Sequence, residues 1–235
     1  MTLAFGGPVG LHSGDAEDGT SSTSVHEDMD LVRRTLLEFN EGGAGFLRIY
    51  RPGPTAAFSP RDTTLENYAM AADAMRAHGF EPVERRAGGQ LAVYDSNALV
   101  VDLVAPHADP REHVIERFRL FSGALASALS SLGIDARVGG VEGEYCPGDY
   151  SVNAEGRVKL AGVAQRIARR GYHIGAVISV TESNAAKAAI RDAYQIMGIP
   201  FDPETFGDVS SLVPDIPISI LRQRLQAAVS GGPGV

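Results

Sequence analysis

The chain has 235 residues, 44% of them hydrophobic and 21% charged, with a formal charge of −8 at pH 7. That is ordinary globular composition for one large domain or two small ones, and it holds no run of about 18 apolar residues with which a helix would cross a bilayer. No Lys or Arg precedes Arg33, so neither a secretory signal nor a mitochondrial presequence is expected. Cys146 is the single cysteine, which excludes an intrachain disulfide and fits a reducing, cytoplasmic setting. The negative charge argues against a nucleic-acid partner held by phosphate neutralisation, and no membrane partner is expected.

Residues 1–30 carry six acids and no base. With their glycines and Ser/Thr run they predict a disordered acidic tail over 1–24, followed by one domain over 25–230. Leu31, Val32, Leu36 and Phe39 recur at helical spacing, with acids in the first turn and Gly42-Gly43 as the stop, so a helix is predicted over 27–40. A strand over 46–50 ends at Pro52-Gly53-Pro54. A second helix over 64–78 opens at Thr63 or Thr64 and closes at Gly79. Two short strands, 81–86 and 91–95, flank the Gly88-Gly89 pair. The apolar run 98–105 is a central strand. Val114, Phe118, Phe121, Leu125 and Leu129 mark one face of a long helix over 111–132. Strands near 150–153, 158–166 and 173–180 are joined by hairpin-length turns and predict an antiparallel meander. Helices over 183–197 and 217–229 follow. The fold class is therefore α/β or α+β, with a mixed, largely antiparallel sheet flanked by helices.

Nineteen of the 21 basic residues are arginine. Against that background Lys159, inside an apolar strand, suggests that a compact ammonium is wanted there. Simple alternation puts Lys159, Ala161, Val163 and Gln165 on one face, with small neighbours that leave room for a ligand. An ammonium in such surroundings must meet an anion or reach water. Lys187, by contrast, reads as a solvated helix residue. Arg85-Arg86 before Gly88-Gly89 places fixed positive charge beside a backbone that can approach an anion closely. The same pair also reads as a solvated strand end. Cys146 reads equally as a nucleophile activated by a cationic neighbour and as a small buried hydrophobe.

These segments resemble the lipoate–protein ligase and octanoyltransferase superfamily, whose fold is similar to that of biotin–protein ligase. The family carries Arg-Arg-x-(Ser/Thr)-Gly-Gly-x-Ala-Val-(Phe/Tyr)-His-Asp, then Lys-(Val/Leu)-x-Gly-x-Ala-x-Arg, then Gly-(Phe/Tyr)-His-x-Gly. Here Arg85-Arg86 and Ala92-Val93-Tyr94 stand for the first. Lys159-Leu160-Ala161-Gly162-Val163-Ala164-Gln165-Arg166 and Gly171-Tyr172-His173-Ile174-Gly175 stand for the second and third. The glycine loop departs from the pattern: Gln90 and Leu91 occupy positions where small residues are usual, and Asp95-Ser96 replaces His-Asp.

The resemblance implies a biotin/lipoate-protein-ligase-like catalytic domain. As a ligase it would activate lipoate or octanoate with ATP and Mg²⁺ and pass the acyl group to a lysine. The acceptor would be a lipoyl domain of a 2-oxoacid dehydrogenase complex or the glycine cleavage H-protein. It also implies the site. ATP and phosphate would be held by Arg86, Gly88, Gly89, Leu91, Ala92, Val93, Tyr94 and Lys159. Lipoate would be held by Lys159, Ala161, Gly162, His173 and Gly175, and Lys159 would be catalytic. Cys146 would be catalytic in the alternative, a cysteine-dependent octanoyl or lipoyl transferase using an acyl-thioester donor. A third reading is a non-catalytic lipoate-binding accessory subunit. The family's larger ligases carry a C-terminal accessory domain for which this chain is expected to be too short.

Overall fold

The computed structural model describes residues 9–12, 15, 19–21 and 23–231. In chain order its elements are β1 (Val9–Leu11), α1 (Val25–Glu38), β2 (Gly45–Tyr50), β3 (Thr55–Phe58), α2 (Tyr68–Ala77), β4 (Glu81–Glu84), β5 (Ala92–Tyr94) and β6 (Ala98–Pro106). Then come α3 (Val114–Ser130), β7 (Ala136–Val138), β8 (Val152–Ala154), β9 (Val158–Ile167), β10 (Gly171–Ser179), α4 (Asn184–Met197) and α5 (Ile218–Gly231). No helix among the described residues is long and apolar enough to cross a membrane.

The large sheet runs β1-β2-β6-β10-β9-β8-β7, antiparallel except for β1 beside β2. The apolar run that forms β6 lies between β2 and β10, and all but its last residue are buried, as expected of an interior strand. β8, β9 and β10 form the expected meander, and Glu155 and Gly156 both take positive φ in its first turn. One face of this sheet is covered by α3 and α5, where Phe121, Leu125, Leu129, Leu221 and Leu225 complete the main core.

A three-stranded sheet, β4-β3-β5, packs with α2 and α4 around a second core that includes Phe58, Met75, Leu91, Val93 and Tyr194. β3 lies in the proline-flanked stretch read as the end of a strand; Thr55–Phe58 is too short for its alternation to show. α2 also starts later than expected. Asp62–Thr64 is a 3₁₀ turn, and the N-cap position of α2 is Asn67, without a side-chain capping bond.

Most of the segment 1–24, expected to be disordered, lies outside the described residues. Val9–Leu11 pairs in parallel with Gly45–Leu47, and Thr20 bridges to Arg51. The physical reason is Arg48, whose side chain is 2% exposed and which binds Asp15 at 2.5 Å and Asp28 at 2.8 Å. Burial alone would lower the Arg48 pKa, but Asp15, Tyr50 and Asp28 outweigh it and raise it. Asp15 and Asp28 are thus both held by a buried cation on β2. Asp15→Ala leaves that guanidinium short of a partner, and we expect a loss of about 3 kcal/mol in denaturant unfolding. An unchanged unfolding midpoint would show that Asp28 alone satisfies Arg48.

Candidate active site

The second face of the large sheet is covered only in part by a helix, α1, whose Leu36 packs with Phe46 and Val104. Between it, α1 and the small sheet lies a cavity of about 600 Å³, within the range of small-molecule sites. Its floor comes from four neighbouring strands: Tyr50 on β2, Val100 and Asp102 on β6, His173, Gly175 and Val177 on β10, and Gly162 and Ala164 on β9.

Lys159 reaches this face by a device the sequence does not announce. Val152 pairs with Ala161 and Asn153 with Lys159, so Leu160 is an extra residue in a β-bulge. The bulge inverts the alternation. Leu160 and Ala161 join the main core with Val163 packed against it, whereas Lys159 and Gly162 face the cavity. A Cβ built on Gly162 would stand 3.4 Å from Lys159 Cε, so the glycine makes room for the lysine stem. Simple alternation is corrected here, and with it the placement of Ala161 against the ligand.

The Lys159 side chain is fully buried. Its Nζ donates to the carbonyl of Tyr145 at 2.9 Å and of Cys146 at 2.8 Å, and to Glu144 Oε1 at 3.3 Å. It also stands 4.6 Å from the centre of the Tyr145 ring. Burial pushes the ammonium below the usual lysine range, against the opposing pull of Cys146 and Glu144. Glu144 in turn accepts from Val141 N, Gly148 N and Ser151 Oγ. The ammonium therefore ties down the loop 141–151, and the anion it meets is a side chain of the protein itself.

That loop presents Cys146. The residue has φ +42°, in the left-handed region that non-glycine residues rarely adopt. Its backbone N–H donates to the Tyr194 hydroxyl at 2.7 Å, which donates to the Leu91 carbonyl at 2.9 Å. The sulfur accepts from Gln90 N at 3.2 Å and from the Arg85 guanidinium at 3.5 Å. Both donors face the atom on which a thiolate carries its charge. Arg85 Nε is buried without a hydrogen-bond partner.

The cavity wall thus brings together Lys159, Cys146, Gly88, Gly89, Ala92, Tyr94, Gly162, His173 and Gly175 from the expected site, with Arg86 exposed beside them. Leu91 and Val93 do not belong to it: both are buried in the second core, because alternation on β5 sends only Ala92 and Tyr94 toward the cavity. Arg85 was singled out from the sequence with Arg86; Glu144, Tyr194, Asp102 and Tyr50 were not, and none of those four had a local signal. Lys187, read as solvated, is 30% exposed and pairs with Glu204 at 3.6 Å.

At the rim stand Arg33, Arg86 and Arg166. Burial first, then the charges of Arg86 and Arg33, lower the Arg166 pKa. Deeper, His173 Nε2 meets Asp102 Oδ1 at 2.7 Å. A Cβ on Gly175 would lie 2.7 Å from that nitrogen and 2.9 Å from that oxygen. Gly175→Ala should therefore force the pair apart and cost about 1–3 kcal/mol in denaturant unfolding, because the methyl enters a filled space, and an unchanged midpoint would show that the pair yields without cost.

Comparison with known proteins agrees with this architecture. Residues 26–229 match the family model of the lipoyl protein ligase A/B catalytic domain. An octanoyl-GcvH:protein N-octanoyltransferase of Geobacillus kaustophilus is 31% identical over 60% of this chain and 50% of its own length. A lipoyl-GcvH:protein N-lipoyltransferase of Listeria monocytogenes is 28% identical over 66% of this chain and 56% of its own. The chain thus spans about half the length of the curated relatives it matches. The crystal structure of lipoate-protein ligase A bound with ATP shares the fold, with a TM-score of 0.69 at 19% identity over 95% of this chain and 84% of that one. With its mixed sheet, its lysine-bearing bulge and the cavity between its two sheets, the chain belongs to the lipoyl protein ligase A/B catalytic domain family.

Proposed function

We propose that the protein is an acyltransferase that moves an octanoyl or lipoyl group through a thioester on Cys146. The acceptor is a lysine of a lipoyl-bearing protein of the H-protein or lipoyl-domain kind. The observation that carries this reading is the environment of Cys146, which lines the cavity and whose sulfur receives N–H donors from Gln90 and Arg85.

In the first half-reaction the Cys146 thiolate attacks the acyl carbonyl. A C–S bond forms, the bond from acyl carbon to the donor's leaving atom breaks, and that atom takes up a proton. In the second, the acceptor's neutral ε-amine attacks the thioester. A C–N bond forms, the C–S bond breaks, and the sulfur leaves as the thiolate while the amine loses its proton. The Arg85 guanidinium offers positive charge where the tetrahedral oxyanion develops. Lys159 holds the Cys146 carbonyl in place, and an ammonium destabilised by burial gives up its proton more readily than a solvated one. The transferase names of the two relatives support the same chemistry.

A second reading, activation of lipoate by ATP and Mg²⁺, is favoured by one observation: Arg33, Arg86 and Arg166 form a cationic rim suited to phosphate. Among the described residues no cluster of three His, Cys, Asp or Glu side chains stands ready for a metal. Intact mass spectrometry separates the readings. Incubation with an octanoylated donor is expected to add one octanoyl group to Cys146, removable by hydroxylamine. Pyrophosphate release from ATP and lipoate without any such adduct would replace the first reading by the second.

A further inference from the structure

Cys146 is held at both of its backbone polar groups by buried side chains from other elements. Lys159 on β9 donates to its carbonyl at 2.8 Å, and the Tyr194 hydroxyl on α4 accepts from its N–H at 2.7 Å. A non-glycine residue at φ +42° persists only where its surroundings fix it, and these two bonds do so. Lys159 also serves Tyr145 and Glu144. Tyr194 does something different, because its one hydroxyl also joins the segment that donates to the sulfur.

That hydroxyl donates to the Leu91 carbonyl at 2.9 Å. Leu91 is fully buried and follows Gln90, whose backbone N–H donates to the Cys146 sulfur at 3.2 Å. The Gln90 carbonyl in turn accepts from Arg85 Nη2 at 2.6 Å, the same nitrogen that reaches the sulfur at 3.5 Å. The loop lies so close to the thiol that a Cβ built on Gly89, at φ +101°, would stand 2.8 Å from the sulfur. One oxygen therefore spans the N–H of the nucleophile and the residue beside the nucleophile's donor. Its single proton fixes the direction: given to Leu91, it leaves the lone pairs for the Cys146 N–H. Burial, the largest cause, holds the Tyr194 pKa well above the usual phenol range and keeps that proton in place. Tyr194 is 1% exposed and packs edge-on against Phe201, so the second core holds the oxygen where it is.

We infer that Tyr194 is a positioning residue for the thiol: its hydroxyl fixes the separation between the Cys146 sulfur and the N–H donors of Gln90 and Arg85, and so sets how readily the sulfur ionises and attacks. For the use made of that thiolate the inference rests on the acyl-transfer reading above. Tyr194 does not line the cavity and acts through residues 91 and 146.

The chain has one cysteine, so alkylation by iodoacetamide reports on Cys146 alone. The plateau of its pH profile reads access to the sulfur, and the midpoint reads how well the thiolate is stabilised. Tyr194→Phe keeps the ring in the core and removes the oxygen. The midpoint is expected to move up by about one unit, a tenfold loss of thiolate at any pH well below it. The other groups that act on the sulfur, Arg85, Tyr145 and Lys159 with its partner Glu144, are all retained. Ile190→Val, in the same helix and core, should lower stability without moving the midpoint. Should the phenylalanine variant not fold, hydrogen exchange of the unaltered protein decides. Its Cys146 amide is expected to exchange about a hundredfold more slowly than an unbonded loop amide. An unmoved midpoint in folded Tyr194→Phe, an equal shift in Ile190→Val, or an unprotected Cys146 amide would overturn the inference. None of these measurements needs an acyl donor, so the inference and the acyl-transfer reading, judged by the Cys146 adduct, fail separately.

Discussion

Cys146→Ser is expected to reduce acyl transfer by about a thousandfold or more, with no change in unfolding midpoint. Serine matches the thiol in size and keeps the backbone conformation, so the hydrogen bond from residue 146 N to Tyr194 and the bond from Lys159 to its carbonyl both persist. What is lost is a nucleophile that ionises near neutral pH and a leaving group good enough to release the acyl chain to an amine. A gel or mass assay of acylated acceptor protein reads the loss. Retention of most activity would remove the covalent intermediate from the mechanism and favour direct attack on an activated carboxylate. Arg85→Ala should act in the same direction but less severely, by about a hundredfold, because it removes charge stabilisation rather than the attacking atom.

Lys159→Ala is expected to damage stability as well as activity, by about 3 kcal/mol, or some 6–12 °C in melting temperature for a chain of this size. The reading of Lys159 as the grip on a substrate carboxylate implied a binding defect in an intact fold. In the structure the ammonium satisfies the carbonyls of Tyr145 and Cys146 and the carboxylate of Glu144, with Tyr145 and Glu144 buried. Removing it leaves a buried carboxylate and two carbonyls without that partner and releases the loop that presents Cys146. Lys159→Met keeps the stem against Gly162 and removes only the charge, so it should recover part of the stability and none of the transfer. Denaturant unfolding alongside the transfer assay separates the two effects. An alanine variant as stable as the parent would restore the substrate-grip reading.

Much of the fold was legible in the sequence because its elements obey local rules. The apolar run of β6 declares an interior strand, and the meander declares itself through glycine-ended turns. Gly42 and Gly79 stop the chain where expected, each at positive φ. The site was legible in part, through Arg85-Arg86, Lys159 and the Gly-Tyr-His-x-Gly segment, because these residue types are costly on apolar strands unless they meet a partner.

What only the tertiary structure decided concerns parity and long-range partners. One unpaired residue, Leu160, reverses which face every later side chain of β9 serves, and no periodicity in a ten-residue strand reveals it. The tail over 1–24 is acidic enough to look unfoldable, yet Asp15 finds Arg48, 33 positions away, because a buried guanidinium needs an anion wherever one can be found. Cys146 was ambiguous for the same reason. Its character depends on Arg85, Gln90 and Tyr194, which lie far from it in the chain and are brought together by β5, α4 and the loop that Lys159 holds. Sequence determines which groups are expensive to bury; only the folded chain determines which of them satisfy one another and which remain for a substrate.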